Sequence, residues 1–310
     1  MENSEKLIGL IGLGAIGAPL ADLLYQRYNK NFILLSSRDF LHTLTDNELV
    51  INKRVFSPLI VTDKKQLAKD IDVLFVCVKN YHIENTALFL KEIINQDTIV
   101  IPLQNGVYSY DYFKKQFPEN IILEGFAKGP NTKVNGNVFE YQKPGSFHIG
   151  SSLPEHTRFA RLVYELMKNA DIECYYDENI KREIWKKLML NVAGNAITAI
   201  TEIDYCMFGR SQEVQELCIS TMKEFVQVAK QNGIILTDKD IKDVIDYYLS
   251  FTVSKHTSML EDVLHKRPTE NEYIAGYISK IAKDKQIDTP NIDMLYKLIK
   301  IKESVYLGKL

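Results

Sequence analysis

The sequence predicts an α/β protein in which an N-terminal domain, built on a parallel sheet with an antiparallel extension, precedes an all-helical C-terminal domain. Three observations support this prediction. Residues 7–25 contain an apolar run, a glycine-rich turn and a helical pattern; strand and helix patterns then alternate; and beyond residue 178 only helical patterns recur. Strands that alternate with helices are typical of a parallel sheet covered on both faces. We therefore expect two domains, at residues 1–178 and 179–310.

Residues 12–17 form a GxGxxG turn between the predicted strand at 7–11 and the predicted helix at 18–25. In this motif the first glycine permits a tight turn, the second lets the backbone approach a pyrophosphate, and the third lets helix and strand pack together. Phosphates would bind the N–H groups at the helix start. The motif predicts a Rossmann-type dinucleotide-binding domain; a glycine-rich turn without a ligand is the alternative. The residues assigned to the cofactor here are Gly12, Leu13, Gly14, Ala15, Ile16 and Gly17.

The remaining strands and helices are predicted from their patterns of apolar residues. Apolar runs at 31–36, 72–78 and 98–103 predict strands of the parallel sheet. Between residues 121 and 150, short apolar runs broken by glycines predict the antiparallel extension. In the C-terminal half, apolar residues recur at three- and four-residue spacing, which predicts helices. These helices are expected at 183–199, 213–232, 240–251, 270–285 and 292–306, with Gly233 as a C-terminal cap and Pro290 at a helix start.

Composition and charge exclude several classes of protein. The chain has 310 residues and a formal net charge of -2, so it offers no broad basic field for nucleic acid. The apolar stretch at 7–24 contains Pro19, Asp22 and glycines, so it is not expected to be a signal peptide or a membrane span.

The cysteines lie far apart and form no CxxC pair, which argues against a zinc site and against a disulfide framework. No metal is predicted, and we expect a cytoplasmic protein in a reducing setting. The four residues are Cys77, Cys174, Cys206 and Cys218.

The end of the second strand should decide which dinucleotide binds. It runs Ser36-Ser37-Arg38, with no carboxylate before Asp39. An acidic residue there would accept hydrogen bonds from the ribose hydroxyls, whereas an arginine suits a 2′-phosphate. The sequence therefore predicts NADP(H) rather than NAD(H), with Arg38 at the cofactor; a solvated loop charge is the alternative.

Two more polar residues follow predicted strands, where ligands of open α/β sheets bind. Lys79 follows the strand at 72–78, and Asn105 follows the strand at 98–103. Both are candidates for the cofactor site. A strand-end lysine that reaches for water and a simple Asn-Gly turn are the alternatives.

The helix predicted at 183–199 carries Lys187, Asn191 and Asn195 at four-residue spacing, which places them along one stripe beside an apolar face. Buried amide and ammonium groups need partners, because each unpaired group costs about 1 to 3 kcal/mol. A polar ligand would supply such partners, and so would hydrogen bonds to the other domain. The pattern alone leaves both interpretations open.

A last polar cluster contains Ser258 and, after Pro268, the pair Thr269-Glu270. Thr269 and Glu272 have the spacing of a helix capping box. An acid in the first turn of a helix is favoured by the helix dipole, so Glu270 needs no ligand to explain it.

Taken in order, these motifs resemble the ketopantoate reductase (2-dehydropantoate 2-reductase) family along almost the whole chain. The likeness depends on the combination rather than on any single motif. The residues that carry it are Gly12 to Gly17, Val78-Lys79, Asn105-Gly106, Trp185-Lys186-Lys187-Leu188 with Asn191 and Asn195, Ser258-Met259-Leu260, and Pro268-Thr269-Glu270.

The resemblance implies a role for each site residue. Lys187 would be the general acid, Glu270 and Ser258 would hold the substrate, and Asn191 and Asn195 would bind its hydroxyl and carbonyl groups. We accordingly assign Lys187 and Glu270 to catalysis. Lys79 and Asn105 would serve the nicotinamide ribose and the catalytic centre.

The implied reaction is hydride transfer from NADPH to the ketone of 2-dehydropantoate, giving pantoate for pantothenate and coenzyme A biosynthesis. With the lysine on the helical domain and the cofactor on the other, closure of the domains is expected to assemble the site. The implied partner is a small 2-keto acid, with no nucleic acid or membrane. A homodimer is compatible with the sequence, which is otherwise silent on oligomeric state.

Two positions depart from the family pattern. Lys255 and Tyr205 stand where many members have asparagines thought to shape the substrate pocket. A reductase of a different 2-keto acid is therefore the main alternative, and a non-catalytic NADPH-binding redox sensor is the other. The joint presence of four residues argues against the sensor, namely Lys187, Asn191, Asn195 and Glu270.

Overall fold

The computed structural model describes residues 6–36, 48–130 and 132–309. Arg38, which we assigned to the cofactor, lies outside the described residues. By its internal contacts the chain forms two compact units. The first comprises residues 1–105 and 109–181, and the second comprises residues 106–108 and 182–310.

The strands of the first unit are short and mostly apolar. They are β1 Ile8–Ile11, β2 Phe32–Leu35, β3 Leu49–Ile51, β4 Arg54–Phe56, β5 Leu59–Val61, β6 Val73–Val76, β7 Ile99–Pro102, β8 Glu124–Lys128, β9 Thr132–Asn135, β10 Val138–Tyr141, β11 Ser146–Gly150 and β12 Cys174–Tyr176.

The central sheet has the order β5-β2-β1-β6-β7, and all of its pairs are parallel. Every residue of β1, β2, β6 and β7 is buried, as expected for strands of a parallel sheet covered on both faces. The strand order changes direction between β1 and β6. The carboxyl ends of these two strands therefore mark the crevice in which ligands of such sheets bind.

The predicted antiparallel strands between residues 121 and 150 belong to two smaller sheets. One has the order β4-β3-β10-β9, and the other has the order β12-β11-β8. β8 and β11 pair antiparallel, as do β9 and β10. An isolated parallel bridge between Val100 and Ile122 connects the central sheet to the segment before β8.

Four helices accompany these sheets in the described part of the chain: α1 Gly17–Tyr28, α2 Ile83–Ile93, α3 Tyr108–Gln116 and α4 Thr157–Asn169. One charged side chain of α1, Asp22, is only 4% exposed. It accepts hydrogen bonds from Arg54 Nη2 at 2.8 Å and from the Tyr141 hydroxyl at 2.7 Å. A buried carboxylate is tolerated when it is paired in this way, and this one joins α1 to β4 and β10.

Among its described residues the second unit contains helices joined by loops and no strand. Its helices are α5 Ile180–Leu190, α6 Ala196–Thr201, α7 Tyr205–Phe208, α8 Gln212–Gln231, α9 Asp238–Leu249, α10 Ser258–Leu264, α11 Ala275–Asp284 and α12 Pro290–Tyr306.

Two of the predicted helix ends are confirmed. Pro290 occupies the first position of α12, where its missing N–H costs nothing. Gly233 follows α8 with φ +76°, a backbone conformation that residues other than glycine rarely adopt.

Two predicted helices are interrupted. The run at 183–199 is α5, then a π-helical turn at Asn191–Asn195, then α6. The run at 270–285 begins with a 3₁₀ turn at Asn271–Tyr273 before α11.

The predicted capping box at Thr269 and Glu272 is wrong. Thr269 Oγ1 donates to Glu303 at 2.8 Å, and Glu272 accepts from Tyr296 and Lys300. The box fails because the chain here forms a 3₁₀ turn, so Thr269 does not cap an α-helix.

Across the described ranges, no helix combines the length and the apolar composition needed to cross a bilayer. The same ranges contain no group of three or more His, Cys, Asp or Glu side chains arranged to hold a metal ion.

Candidate functional site

A cavity of about 550 Å³ lies in the first unit at the carboxyl ends of β1, β2 and β6. This is the position that the strand order predicts for a ligand. The lining residues are Ile11, Gly12, Leu13, Gly14, Leu34, Leu35, Ser36, Cys77, Val78, Lys79, His82, Asn85, Thr86 and Phe89.

The three glycines of the turn have different surroundings. Gly12 has φ +98°, and a Cβ there would lie 2.5 Å from the Val78 nitrogen. A Cβ on Gly17 would overlap the Gly12 carbonyl oxygen. In contrast, a Cβ on Gly14 would meet no atom within 4 Å. Close packing thus requires glycine at 12 and 17, whereas Gly14 leaves open space against the backbone, as the approach of a phosphate requires.

The Ala18 N–H donates to the Gly14 carbonyl at 3.0 Å and Pro19 has no N–H, so the donors for a phosphate would be the backbone N–H groups that precede Ala18 at the start of α1. Its N-cap residue, Ile16, makes no side-chain capping bond, and the first turn holds no acidic residue. The first N–H groups of a helix lack partners within the helix and carry a partial positive charge. Together with the open face of Gly14, they fit the pyrophosphate of a dinucleotide.

The sequence-predicted cofactor residues separate into two groups. Gly12, Leu13, Gly14 and Lys79 line the cavity. Ala15, Ile16, Gly17 and Asn105 are not among its lining residues. The Asn105 carbonyl accepts a hydrogen bond from Asn80 Nδ2 at 3.0 Å, and the Ala15 carbonyl accepts one from Thr132 Oγ1 at 2.9 Å.

One wall of the cavity carries no motif and was not predicted from the sequence. Residues around the start of α2 line it, namely His82, Asn85, Thr86 and Phe89. Helical spacing within 83–93 would have grouped the last three, because α2 follows β6 and its first turns stand beside the carboxyl end of that strand. Cys77 also lines the cavity, and burial raises the pKa of its thiol well above the ordinary value, which keeps it protonated.

In the second unit, Lys187, Asn191 and Asn195 lie on successive turns of one helical run. Lys187 is half-buried on α5, whereas Asn191 and Asn195 are 6% and 3% exposed in the π-helical turn. Asn195 Nδ2 donates to Asn191 Oδ1 at 3.2 Å. Single π turns inside α-helices often occur at functional sites.

Tyr248 of α9 packs against this π turn. Its ring is fully buried, and a Cβ on Gly194 would overlap its hydroxyl. The same hydroxyl donates to the Leu190 carbonyl at 3.4 Å, the last residue of α5. The close approach of the ring explains why glycine stands at 194, in the middle of a helical run where glycine is otherwise unfavourable.

Two buried threonines connect the π turn to α10. Thr198 Oγ1 donates to the Asn195 carbonyl at 3.0 Å and lies 2.9 Å from Thr257 Oγ1. Thr257 is the N-cap of α10, and its hydroxyl accepts from the Leu260 nitrogen at 3.1 Å. Ser258, the next residue, is exposed at the start of α10. Hydrogen bonds therefore couple the helix that carries Ser258 to Asn195.

Glu270 is 6% exposed and precedes the 3₁₀ turn. Its carbonyl accepts from the nitrogens of Tyr273 and Ile274 at 3.0 and 3.1 Å. The neighbouring Asn271 donates through Nδ2 to the Tyr296 carbonyl of α12 at 2.9 Å. The backbone around Glu270 is thus held firmly within the second unit.

Lys186, next to Lys187, belongs to an ion-pair network that the sequence did not suggest. Its Nζ lies 3.2 Å from Asp240 and 2.7 Å from Asp243, and Arg182 binds both oxygens of Asp240 at 2.8 Å. Burial disfavours the charged carboxylate of Asp240. Hydrogen bonds from Thr237, Arg182 and Lys186 outweigh that effect and lower the pKa of Asp240 to about 2.

The two residues that depart from the family pattern come together. The Tyr205 nitrogen donates to the Lys255 carbonyl at 3.0 Å. The Tyr205 ring stacks on Phe251 at 4.5 Å between centroids, and Lys255 Nζ lies 5.4 Å from the centroid of Phe251. Burial raises the pKa of Tyr205 above its ordinary value. An aromatic and cationic cluster therefore occupies these two positions.

Two family models match the chain. The model for ketopantoate reductase PanE/ApbA matches residues 8–153, and the model for the ketopantoate reductase PanE/ApbA C terminal matches residues 179–303. A 2-dehydropantoate 2-reductase of Streptococcus pyogenes serotype M3 is 23% identical over 302 residues, which cover 96% of this chain and 98% of that protein. The 2-dehydropantoate 2-reductase of Pyrococcus abyssi is 26% identical over 304 residues, covering 96% and 98%.

Solved structures with the same fold include two enzymes. A D-mandelate dehydrogenase with NADH and anilino(oxo)acetate has a TM-score of 0.85 and 22% identity, covering 97% of this chain and 99% of that one. A dimeric ketopantoate reductase from Staphylococcus aureus has a TM-score of 0.81 and 20% identity, covering 96% and 99%. The fold class predicted from the sequence, an α/β domain followed by a helical domain, is confirmed.

Proposed function

Because the chain belongs to the ketopantoate reductase PanE/ApbA family, we propose that it is an NADPH-dependent reductase of 2-dehydropantoate. Its product would be pantoate, the precursor used in pantothenate biosynthesis. The observation that carries the proposal is the stripe of Lys187, Asn191 and Asn195, whose amides are nearly inaccessible to water yet polar. Asn195 donates to Asn191 within this stripe, and a bound keto acid would add partners for the remaining hydrogen-bonding groups of the two buried amides.

The first unit would hold the dinucleotide. The donors at the start of α1 and the open face of Gly14 suit the pyrophosphate, and Ser36 lines the cavity where the adenosine ribose of such a cofactor binds. When bound, reduced nicotinamide supplies the hydride. We propose NADPH rather than NADH because Ser36-Ser37-Arg38 offers hydroxyls and a guanidinium for a 2′-phosphate, and no carboxylate that would repel it.

The second unit would hold the keto acid. Asn191 accepts from Asn195 through Oδ1, so the remaining side of its amide presents NH₂ donors to a hydroxyl or carbonyl oxygen. Ser258 and Glu270 would bind the rest of the substrate. The Lys187 ammonium would stabilise the oxyanion that forms at the ketone oxygen and give it a proton.

The same site with a different 2-keto acid is the second candidate. The cluster of Tyr205, Phe251 and Lys255 favours it, because aromatic rings and a cation stand where many family members carry asparagine amides. The fold shared with D-mandelate dehydrogenase, whose substrate class carries a ring, is consistent with this candidate.

The deciding experiment follows the oxidation of NADPH, and separately of NADH, with 2-dehydropantoate and with a panel of aliphatic and aromatic 2-keto acids. We compare the wild type with Lys187→Ala and with Lys186→Ala. The second variant is a matched control, because it removes a neighbouring lysine from the same helix whose ammonium is engaged by Asp240 and Asp243.

We expect turnover of 2-dehydropantoate with NADPH, a loss of about 10²- to 10⁴-fold in kcat for Lys187→Ala, and retained turnover for Lys186→Ala. NADPH binding, measured by its fluorescence, should survive both changes. Turnover of another keto acid in place of 2-dehydropantoate would select the second candidate. An unchanged kcat in Lys187→Ala would refute the assigned general acid.

A further inference from the structure

Pro19 interrupts the hydrogen bonding of the first turn of α1. In an α-helix the carbonyl of residue 15 accepts from the nitrogen of residue 19, one turn later. The preceding bond of this kind is present, because the Ala18 nitrogen donates to the Gly14 carbonyl at 3.0 Å. The next one cannot form, since proline has no N–H. The Ala15 carbonyl therefore needs a donor from outside the helix.

Thr132 provides that donor. It is the first residue of β9, and its Oγ1 donates to the Ala15 carbonyl at 2.9 Å. The two residues are 117 positions apart in the sequence, so no local pattern at the glycine-rich turn indicates this contact. A strand of the sheet β4-β3-β10-β9 thus completes the hydrogen bonding of the helix that follows the glycine-rich turn.

The neighbouring strand holds α1 at a second point. Tyr141 of β10 lies directly opposite Thr132 in the antiparallel pair, so both side chains stand on the same face of the sheet. The Tyr141 hydroxyl donates to Asp22 at 2.7 Å. Asp22 follows Ala15 by about two helical turns, which places both contacts on one side of α1. Together they fix the rotation and the position of α1 against the strand pair.

We propose that Thr132 is a positioning residue for the cofactor: by holding the Ala15 carbonyl, it aims the Ile16 N–H at the pyrophosphate of the dinucleotide. The carbonyl of Ala15 and the N–H of Ile16 belong to one peptide group. In a planar trans peptide these two groups point in opposite directions, so the hydroxyl that fixes one also fixes the other. The inference rests on the proposed binding of a nicotinamide dinucleotide at this turn, and not on the identity of the keto acid.

The cavity lies at the end of α1 to which that N–H points. Ile16 has helical backbone angles, φ -91° and ψ -47°, so its N–H points along the helix towards the glycine-rich turn. Gly12, Leu13 and Gly14 line the cavity there. Without the Thr132 hydroxyl this peptide group would be freer to rotate, and a bound phosphate would have to order it, at a cost in affinity.

Titration of the full chain with NADPH and with NADH, followed by the fluorescence of the reduced nicotinamide, tests the proposal. Thr132→Val removes the hydroxyl and keeps a β-branched side chain of similar size. We expect the dissociation constant of the better-bound cofactor to rise about 5- to 10-fold, which corresponds to the loss of one hydrogen bond. Thr132→Ser keeps a hydroxyl and should bind within about 2-fold of the wild type.

Thr201→Val is the matched control. The Thr201 hydroxyl also donates to a backbone carbonyl, that of Ile197 at 2.7 Å, but it does so in the second unit. This variant should bind both dinucleotides like the wild type. Thermal unfolding followed by far-UV circular dichroism confirms that each variant is folded at the temperature of the titration.

Pro19→Ala distinguishes positioning from a general loss of stability. It restores an N–H at the position from which an α-helix supplies the carbonyl of residue 15. Thr132→Val should therefore raise the dissociation constant by less than about 2-fold in the Pro19→Ala background. A purely structural role of Thr132 would give no such rescue of affinity.

An unchanged dissociation constant in Thr132→Val would overturn the inference. Equal losses in Thr132→Val and Thr132→Ser, or equal losses with Pro19 and with Ala at position 19, would overturn it as well. A wild type that binds neither NADPH nor NADH would reject the inference and the proposed function together. The expected pattern of binding without turnover of 2-dehydropantoate would support the inference and reject only the proposed substrate.

Discussion

Gly194→Ala tests the packing that shapes the π turn. The new methyl would overlap the Tyr248 hydroxyl and lie 2.8 Å from Cε2 of the same ring. That ring cannot move aside easily, because it is fully buried and stacks on Phe208 at 4.2 Å between centroids. Overpacking of a rigid core costs about 1 to 3 kcal/mol, and exchange of glycine for alanine in a helix returns up to about 1 kcal/mol. We expect a net loss of about 1 to 2 kcal/mol.

The chain itself provides the probe for this measurement. Trp185 is the single tryptophan, it lies on α5 in the second unit, and its ring is 5.6 Å from Phe225 between centroids. Urea unfolding followed by Trp185 fluorescence therefore reports on the unit that contains Gly194. Gly209→Ala is the matched control, since the tightest contact of its Cβ would be the end of the Leu249 side chain, at 3.2 Å, and its next contacts, at 3.7 and 3.9 Å, are ordinary ones. We expect the control to change stability by no more than about 0.5 kcal/mol.

A second substitution tests whether the loss of stability in Gly194→Ala comes from the contact with Tyr248. Tyr248→Leu empties the space beside Gly194, so Gly194→Ala should cost less in that background, with a coupling of about 1 to 3 kcal/mol. If the π turn positions Asn191 and Asn195 for the keto acid, Gly194→Ala should also raise KM more than it lowers kcat. Stability equal to that of the wild type, together with no coupling to Tyr248→Leu, would refute the reasoning.

Two further predictions follow from the described contacts. Gly17→Ala would force apart Gly17 and the Gly12 carbonyl, so NADPH binding followed by fluorescence should weaken by about 10-fold or more. The control Gly209→Ala, in the second unit, should leave NADPH binding unchanged. The pKa of Asp240 is lowered from 3.8 to about 2, so the hydrogen bonds that its carboxylate accepts from Thr237, Arg182 and Lys186 stabilise the fold above pH 4 by about 2 kcal/mol, and this contribution is lost as the pH falls from 4 to 2. Asp240→Asn should therefore be less stable at pH 7 and show a flatter decline over that acid range; equal slopes in urea unfolding would contradict the assignment.

Sequence patterns predicted those elements whose formation depends on residues close to one another in the chain. The glycine-rich turn, the buried strands at 72–78 and 98–103, and the proline at the start of α12 all depend on neighbouring residues, and each appears close to its predicted position. The π turn could not be predicted, because its geometry depends on the ring of Tyr248, which is 54 residues from Gly194 in the sequence. The wall of the cavity around Asn85 was missed for a related reason: it follows from which helix stands beside β6, and not from a motif.

The two adjacent lysines of α5 have similar side chains but different surroundings in the fold. Successive residues of a helix point about 100° apart, so Lys186 and Lys187 cannot face the same neighbour. Lys186 lies on the face of Arg182, one turn earlier, and both bind Asp240 of α9. Lys187 lies on the face of Asn191 and Asn195. The ion pairs fix the rotation of α5 about its axis, and that rotation determines where the Lys187 stripe points. In the Lys186→Ala variant Arg182 still binds both oxygens of Asp240, so we expect the rotation of α5 and the chemistry of Lys187 to be kept, while the free energy of unfolding of the second unit falls.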